Sequence, residues 1–334
     1  MAEELTESDI RPKALFDRYL SLVAKDAIAF FADSKREDLK CPVCDLTGDL
    51  AFTKLNFEYR ECGQCRSLWV SPRPAFAEFS AFYERSDSAE YWAEVFAPAV
   101  MEVRRERLWR PKARRIADLA GQLRAGMTRF RNVVDIGGGN GVFAEEFAAI
   151  SDCQVTVVEP SPAAAASCRE RGVMVVEAFL EALTPDQLPS GPTLFTSFEL
   201  FEHVHDPRGW LMSVASLMRP GDVLVLTTLS GTGLDIRVLW EQSASVNPPH
   251  HINFLNPSAM GKLARKCGLE DVDVFTPGEL DIDILRNNIG MIKDEFWRVV
   301  ADSPYDERAR WQQFIVSMGL SSHMWAVLRK PEKS

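Results

Sequence analysis

The sequence predicts an α/β protein built on a doubly wound, mostly parallel sheet. Three observations carry that expectation. From residue 132 onward, short apolar runs alternate with helix-like segments, the pattern of βαβ units. The first run, Val133-Val134-Asp135-Ile136, breaks into Gly137-Gly138-Gly139-Asn140-Gly141, with four glycines in five residues. The second run, Val155 to Val158, ends in Glu159, twenty residues beyond Gly139. Glycine lacks Cβ and tolerates positive φ, so a strand–glycine turn–helix brings backbone close to a ligand. An acid at that distance is where a ribose-binding carboxylate belongs.

Composition bounds the rest. The chain has 334 residues, 46% of them hydrophobic, enough for one large or two modest soluble domains. A net charge of −10 argues against global attraction to nucleic acid or to anionic membranes. No apolar run approaches the roughly 18–20 residues of a membrane span. The acidic N-terminus has no signal-peptide core, which makes a cytoplasmic location the default and points the seven cysteines to metal or free thiols.

Taken in order, residues 10–33 read as a packing helix, with Leu15, Tyr19, Leu22, Val23, Ile28, Phe30 and Phe31 on its apolar face. Cys41-Pro-Val-Cys44 and Cys62-Gly-Gln-Cys65 follow, seventeen residues apart. Two such knuckles are the signature of a zinc ribbon, in which Cys41, Cys44, Cys62 and Cys65 close a tetrahedral Zn2+ site and leave no position for catalysis. Redox-active dithiols and unmetallated thiols are the alternatives. Residues 67–100 are dense in aromatics and read either as a core layer or as a lid, with Tyr83, Tyr91 and Trp92 as its candidates. Residues 101–131 hold ten Lys/Arg against Glu102, Glu106 and Asp118. They are either a solvated helix face or an anchor for the phosphates of a nucleotide-linked substrate.

Strands are expected at 132–135, 155–159, 173–177, 193–198 and 222–229, then at 272–275 and 324–329. Helices are expected at 141–150, 161–171, 179–184 and 207–218, with more helix at about 283–315. Ligands of a parallel sheet bind at the carboxyl ends of its strands, which gathers Asp135 to Gly139, Glu159, Glu177 to Phe179 and Ser197 to Glu202.

Asp135-Ile-Gly137-Gly138-Gly139 with Glu159 resembles motif I and the following acid of class I S-adenosylmethionine (SAM)-dependent methyltransferases. It fits a dehydrogenase fingerprint less well, because Val142 stands at that fingerprint's last position. The resemblance implies a seven-stranded Rossmann-like sheet, with a small N-terminal zinc-ribbon module and helical additions. It implies that Asp135, Gly137, Gly138 and Gly139 face the amino-acid end of SAM and that Glu159 binds the ribose. Pro160 would cover the adenine, with Ala178 and Phe179 on its other side. Phe198 and Tyr91 complete the expected cofactor contacts.

Two further segments match a large subgroup of this family. Glu199-Leu-Phe-Glu202-His203-Val-His-Asp206-Pro207 resembles its E-H-V segment, and His250-His251-Ile-Asn-Phe254-Leu-Asn-Pro257 resembles the loop after its fifth strand. Glu202 and His203 either touch substrate or brace a helix. One of His250 and His251 is a candidate base, because imidazole titrates near neutral pH. A metal at the His250-His251 pair is disfavoured, since no third ligand lies nearby in sequence.

The layout from residue 40 to 330 resembles bacterial nucleotide-sugar C-methyltransferases and their relatives. It divides the chain into an N-terminal helix (1–39), a zinc-binding module (40–72), a helical linker or lid (73–125) and a methyltransferase domain (126–334). The function implied is O- or C-methylation of a small polar acceptor, a sugar or nucleotide-sugar first. A lipid-linked or natural-product acceptor and a non-catalytic interaction protein are the alternatives. Nucleic acid is disfavoured as a partner, and the oligomeric state is open.

Overall fold

The computed structural model describes residues 5–123 and 129–332. Its strands are β1 (Arg36–Glu37), β2 (Asp49–Lys54), β3 (Phe57–Glu61), β4 (Leu68–Val70), β5 (Arg73–Pro74), β6 (Asn132–Ile136), β7 (Gln154–Val158), β8 (Met174–Val176), β9 (Thr193–Phe198), β10 (Val223–Leu229), β11 (Asn253–Phe254), β12 (Glu270–Phe275) and β13 (His323–Arg329). A seven-stranded sheet runs β12-β13-β10-β9-β6-β7-β8. Strands β10, β9, β6, β7 and β8 are parallel, while β13 lies antiparallel to both β10 and β12. Strand order therefore reverses beside β6, between β9 and β7, and opens the crevice where such sheets take ligands.

Alternation along the strands explains why both faces of this sheet are buried. Val133, Leu194, Val223 and Val225 face one core, with the helix Val142–Ala148. Val134, Ile136, Phe195, Leu224 and Leu226 face the other, with the helices Pro207–Leu217 and Pro257–Lys266. Both of these helices begin with proline after a side-chain cap, Asp206 and Asn256 respectively.

Three local expectations are adjusted. The N-terminal helix runs Lys13–Phe31 after a separate turn, Glu7–Ile10, because Pro12 disfavours helix at Arg11. The segment at 179–184 forms only the 3₁₀ turn Leu180–Ala182, since Pro185 stops it. Residues 87–123 form one near-continuous helix interrupted by π-type turns at Trp92–Phe96 and Arg105–Trp109. The helical addition near 283–315 comprises Asp281–Asn287, Glu295–Asp302 and Tyr305–Ser317. Among the described residues, no helix is long and apolar enough to cross a membrane.

The second sheet runs β11-β4-β3-β2. Its edge strand β11 comes from the loop read as His250 to Pro257, with Asn253 opposite Trp69 and Phe254 opposite Leu68. The helix Lys13–Phe31 covers this sheet through Phe31, which lies 5.3 Å from the Phe57 ring.

Buried Arg73 fastens the joint. Its guanidinium donates to the carbonyls of Val70, His205 and Ile252 (3.1 Å for the last) and to Asn253 Oδ1 at 2.8 Å. Truncation removes this donor from the Val70 and His205 carbonyls and from Asn253 Oδ1, while the Ile252 carbonyl keeps Val70 N. Arg73→Met is expected to destabilise the protein by about 3–5 kcal/mol, measured by urea unfolding. A loss under about 1 kcal/mol would show that the joint holds without it.

Candidate active site

The first strand–helix turn is built for close approach. Gly137 and Gly139 have φ of +68° and +53°, and a Cβ on Gly137 would lie 2.7 Å from Leu200 Cδ2. A Cβ on Gly139 would meet nothing within 4 Å, so the turn faces open space there. Glu159 braces it from the end of β7. Its carboxylate accepts from Gly139 N at 3.0 Å and from Ser161 N at 2.9 Å. A carboxylate has about four lone-pair positions, so acceptor capacity remains for a ribose diol. Burial raises the Glu159 carboxyl above its usual value, against these two hydrogen bonds.

Asp135 lies behind the turn. Its Oδ1 accepts from the Thr196 hydroxyl at 2.7 Å. Burial pushes its carboxyl up to about 7, although Thr196 and Lys112 pull it down. Lys112 reaches in from the long helix, with Nζ 4.6 Å from the Phe198 ring and 3.7 Å from Glu199 Oε1. Glu199 stands just past β9 at φ 51°, a left-handed conformation that a non-glycine residue seldom adopts. It accepts from the Thr227 hydroxyl at 2.6 Å, and its Oε1 lies 2.9 Å from His323 Nε2. Burial alone would raise this carboxyl, but His323, Lys112 and Thr227 hold it well below the carboxylate range.

The next three residues turn toward the loop before β11. Glu202 is buried and accepts from the Thr228 hydroxyl at 2.8 Å. Burial and the nearby Glu199 raise its carboxyl to about 8. The rings of His203 and His251 are 4.8 Å apart, nearly perpendicular. His251 Nδ1 is 2.7 Å from the Ser245 carbonyl. A carbonyl only accepts, so Nδ1 carries the proton and Nε2 of the neutral ring holds a lone pair. His203 Nδ1 lies 3.2 Å from the Tyr83 hydroxyl. Burial pushes His251 down to about 4 and His203 well below its usual value, so both are neutral at pH 7.

His250 is placed differently from His251. Its ring sits among Phe82 (4.9 Å), Tyr83 (5.4 Å) and Tyr19 (5.8 Å). It forms part of an aromatic wall rather than presenting a free edge, and burial holds it neutral, down to about 3. His205 also packs, between Phe76 and Phe79, with Nε2 2.9 Å from the Pro74 carbonyl.

Other expected cofactor contacts are distributed unevenly. Phe198 is buried against Phe143, with ring centroids 4.6 Å apart. Ala178 and Pro160 are half-buried beside the carboxyl ends of β7 and β8. Phe179 is 48% exposed and touches Phe76 edge-on, so it is not a core residue. The Tyr91 hydroxyl donates to the Leu15 carbonyl at 3.3 Å, which directs it to the N-terminal helix instead of the glycine turn.

Much of the basic stretch is engaged inside the molecule. Arg105 pairs with Glu145 and Glu146 at 2.7 Å, and Arg110 with Glu146 at 2.8 Å. Arg104 donates to the Ile10 carbonyl, and Arg115 lies 4.6 Å from the Trp325 ring. Arg124 falls outside the described residues.

The four cysteines converge as their spacing requires, with the sulfurs all within 4.8 Å of one another. The two knuckles share one geometry. Asp45 N donates to Cys41 O and Arg66 N to Cys62 O, at 3.0 and 2.9 Å. Cys41 N donates to Leu46 O and Cys62 N to Ser67 O, at 2.8 and 2.9 Å. Residues Asp45 and Arg66 both take φ of 59°. Such paired turns aim four thiolates at one point, the donor set of a closed zinc site.

Sequence reasoning missed Lys112, Thr227, Thr228 and His323 as site residues. Lys112 was hidden among ten basic residues, and His323 opens a strand whose partner Leu229 is remote in sequence. Helix packing brings Lys112 to the site, and strand pairing brings His323.

Residues 101–274 match a family model described as a methyltransferase domain. That is just over half of the 334 residues, and the chain belongs to this family. It is 33% identical over 155 residues to the ubiquinone biosynthesis O-methyltransferase of Xanthomonas euvesicatoria pv. vesicatoria (strain 85-10), covering 42% of this chain and 64% of that protein. It is 32% identical over 108 residues to the mitochondrial ubiquinone biosynthesis O-methyltransferase of Schizosaccharomyces pombe (strain 972 / ATCC 24843), covering 30% of this chain and 39% of that one. The chain thus spans less than two thirds of the length of these relatives. Among solved structures, the plantazolicin methyltransferase BamL aligns at TM-score 0.48 and 11% identity, over 76% of this chain and 94% of that one.

Proposed function

We propose that the chain methylates a hydroxyl of a small acceptor and that Glu202, His203 and His251 hold that hydroxyl. One observation carries the reading: these three side chains, from two separate loops, bring one lone-pair atom each within 4.8 Å of one another. The unprotonated nitrogens of the neutral His203 and His251 rings orient a hydroxyl by its proton and favour its loss, with the Glu202 carboxyl beside them. His250 packs with Tyr83, Phe82 and Tyr19 as an aromatic wall beside the same place.

SAM supplies a methyl group on a cationic sulfur, a good leaving group. In this reading Asp135 faces its ammonium, Lys112 its carboxylate and Glu159 its ribose. Pro160, Ala178 and exposed Phe179 border the adenine. The protein's contribution is then to align donor and acceptor. The four cysteines hold a structural zinc, as their matched knuckles favour.

The acceptor is a polar hydroxyl compound, with sugars as the first class. A nucleotide-linked sugar has less support, because Arg104, Arg105, Arg110 and Arg115 already have partners. A phenolic acceptor is the second reading, favoured by the aromatic wall, and the similar proteins are O-methyltransferases of ubiquinone biosynthesis. The test is methyl transfer from SAM to a panel of sugars, nucleotide-sugars and phenols, read by mass spectrometry. His251→Ala is expected to lower kcat by about 10²–10⁴-fold on the accepted compound, with SAM binding unchanged. Unchanged turnover in that variant would remove the cluster from the reaction.

A further inference from the structure

We propose that Glu202, His203 and His251 form a binding site for one divalent transition-metal cation, separate from the four-cysteine cluster. The inference rests on the acceptor-hydroxyl reading above and specifies what lies between the cluster and that oxygen. The sequence argued against a metal because His250 and His251 have no third ligand nearby along the chain. Folding supplies two. The segment after β9 brings Glu202 and His203 against His251, with one ligand atom from each residue within 4.8 Å of the others.

The backbone holds this convergence in place. Ile252 N donates to the Glu202 carbonyl at 2.9 Å, and the Tyr59 hydroxyl donates to the His251 carbonyl at 2.7 Å. The Ser245 carbonyl fixes His251 Nδ1 as the protonated nitrogen, and metal-bound histidines use such a partner to present the other nitrogen. The Tyr83 hydroxyl, 3.2 Å from His203 Nδ1, can accept from it and so leave the other ring nitrogen to a ligand. Glu202 is 2% exposed, yet among the described residues no lysine or arginine forms an ion pair with it. Thr228 takes its Oε2 and leaves Oε1 for a ligand. A buried carboxyl beside two imidazoles, which Lys112 reaches only from beyond ion-pair distance, is a place for a cation.

Two nitrogens and one carboxylate oxygen suit Mn2+, Fe2+, Co2+, Ni2+ or Zn2+ and leave positions open. An acceptor oxygen in one of them is polarised and gives its proton to water. That oxygen then bonds to the methyl carbon as the carbon–sulfur bond breaks, with the bond's electron pair staying on sulfur.

The test uses the full chain with its cysteine-bound metal retained. Mn2+ is titrated in and followed by electron paramagnetic resonance. The wild type is expected to remove one equivalent from the free-ion signal and to show nitrogen couplings from two imidazoles. Glu202→Gln and His251→Asn are expected to weaken binding at least tenfold, and Tyr83→Phe by about tenfold. Should a variant fail to fold, the nitrogen couplings of the wild type decide. Mn2+ left free, or bound without nitrogen couplings, overturns the site. Hydroxyl methylation that persists in chelator and still needs His251 overturns the cation and leaves the proposed function standing. Mn2+ bound as expected, with no hydroxyl methylated, supports the cation and overturns the proposed function.

Discussion

Cys62→Ser is expected to release the metal of the four-cysteine module, melt the module and abolish methyl transfer. The module is small, and its two knuckles contribute Cys41, Val43, Cys62 and Cys65 to a core they share with Leu255 and Met260. Structural zinc in comparable small sites binds with an apparent free energy of about 10–16 kcal/mol. A whole domain is stable by only about 5–15 kcal/mol, so loss of one thiolate is a large fraction of what holds this region. The damage extends to the acceptor face. Asn256 Nδ2 donates to the Cys65 carbonyl at 2.7 Å, and the Tyr59 hydroxyl to the His251 carbonyl. Elemental analysis should read close to one zinc per chain in the wild type and little in the variant, with a melting temperature lower by at least about 10 °C. A zinc-free variant that melts with the wild type would end the structural-metal reading.

Glu159→Ala is expected to weaken SAM binding by about 3 kcal/mol, roughly a hundredfold, with the fold retained. Two effects add. Hydrogen bonds from a ribose diol to the carboxylate are lost, and Gly139 N and Ser161 N lose the acceptor that braces the turn. The wild type also carries a pH signature. Burial raises the Glu159 carboxyl, so it takes up its proton at a higher pH than an ordinary glutamate. A protonated carboxyl accepts more weakly, so SAM affinity should fall on acidification from above the usual carboxylate range. Glu159→Gln should show a weaker and flatter profile. Calorimetry between pH 5 and pH 8 checks both, and a Glu159→Ala variant with wild-type affinity would remove the ribose role.

The sheet was legible because its strands are short, apolar and bounded by turn residues, from Val133 to Leu229. Asp135, the glycines and Glu159 were legible because their spacing is local. The cysteines were legible for the same reason. What sequence could not carry was convergence across distance. Lys112 and His323 meet at Glu199 only because a long helix passes the end of β9 and the last strand pairs with β10, the neighbour of β9. His250 and His251, adjacent in the chain, part company because one ring enters an aromatic wall and the other is fixed by Ser245. Counting ligands along the chain has the same limit, because Glu202 and His203 come near His251 only through tertiary contact.

Strand β11 has a consequence for how this protein can be altered by recombination. Residues 253–254 belong by sequence to the methyltransferase domain and by hydrogen bonding to the cysteine module's sheet. Exchanging only the first 75 or so residues with a relative would pair a foreign edge with β11 and leave Arg73's acceptors to a stranger's donor. A working chimera should need the segment from Ser245 to Pro257 to travel with the N-terminal piece. The two stretches, remote in the gene, form one inheritable part.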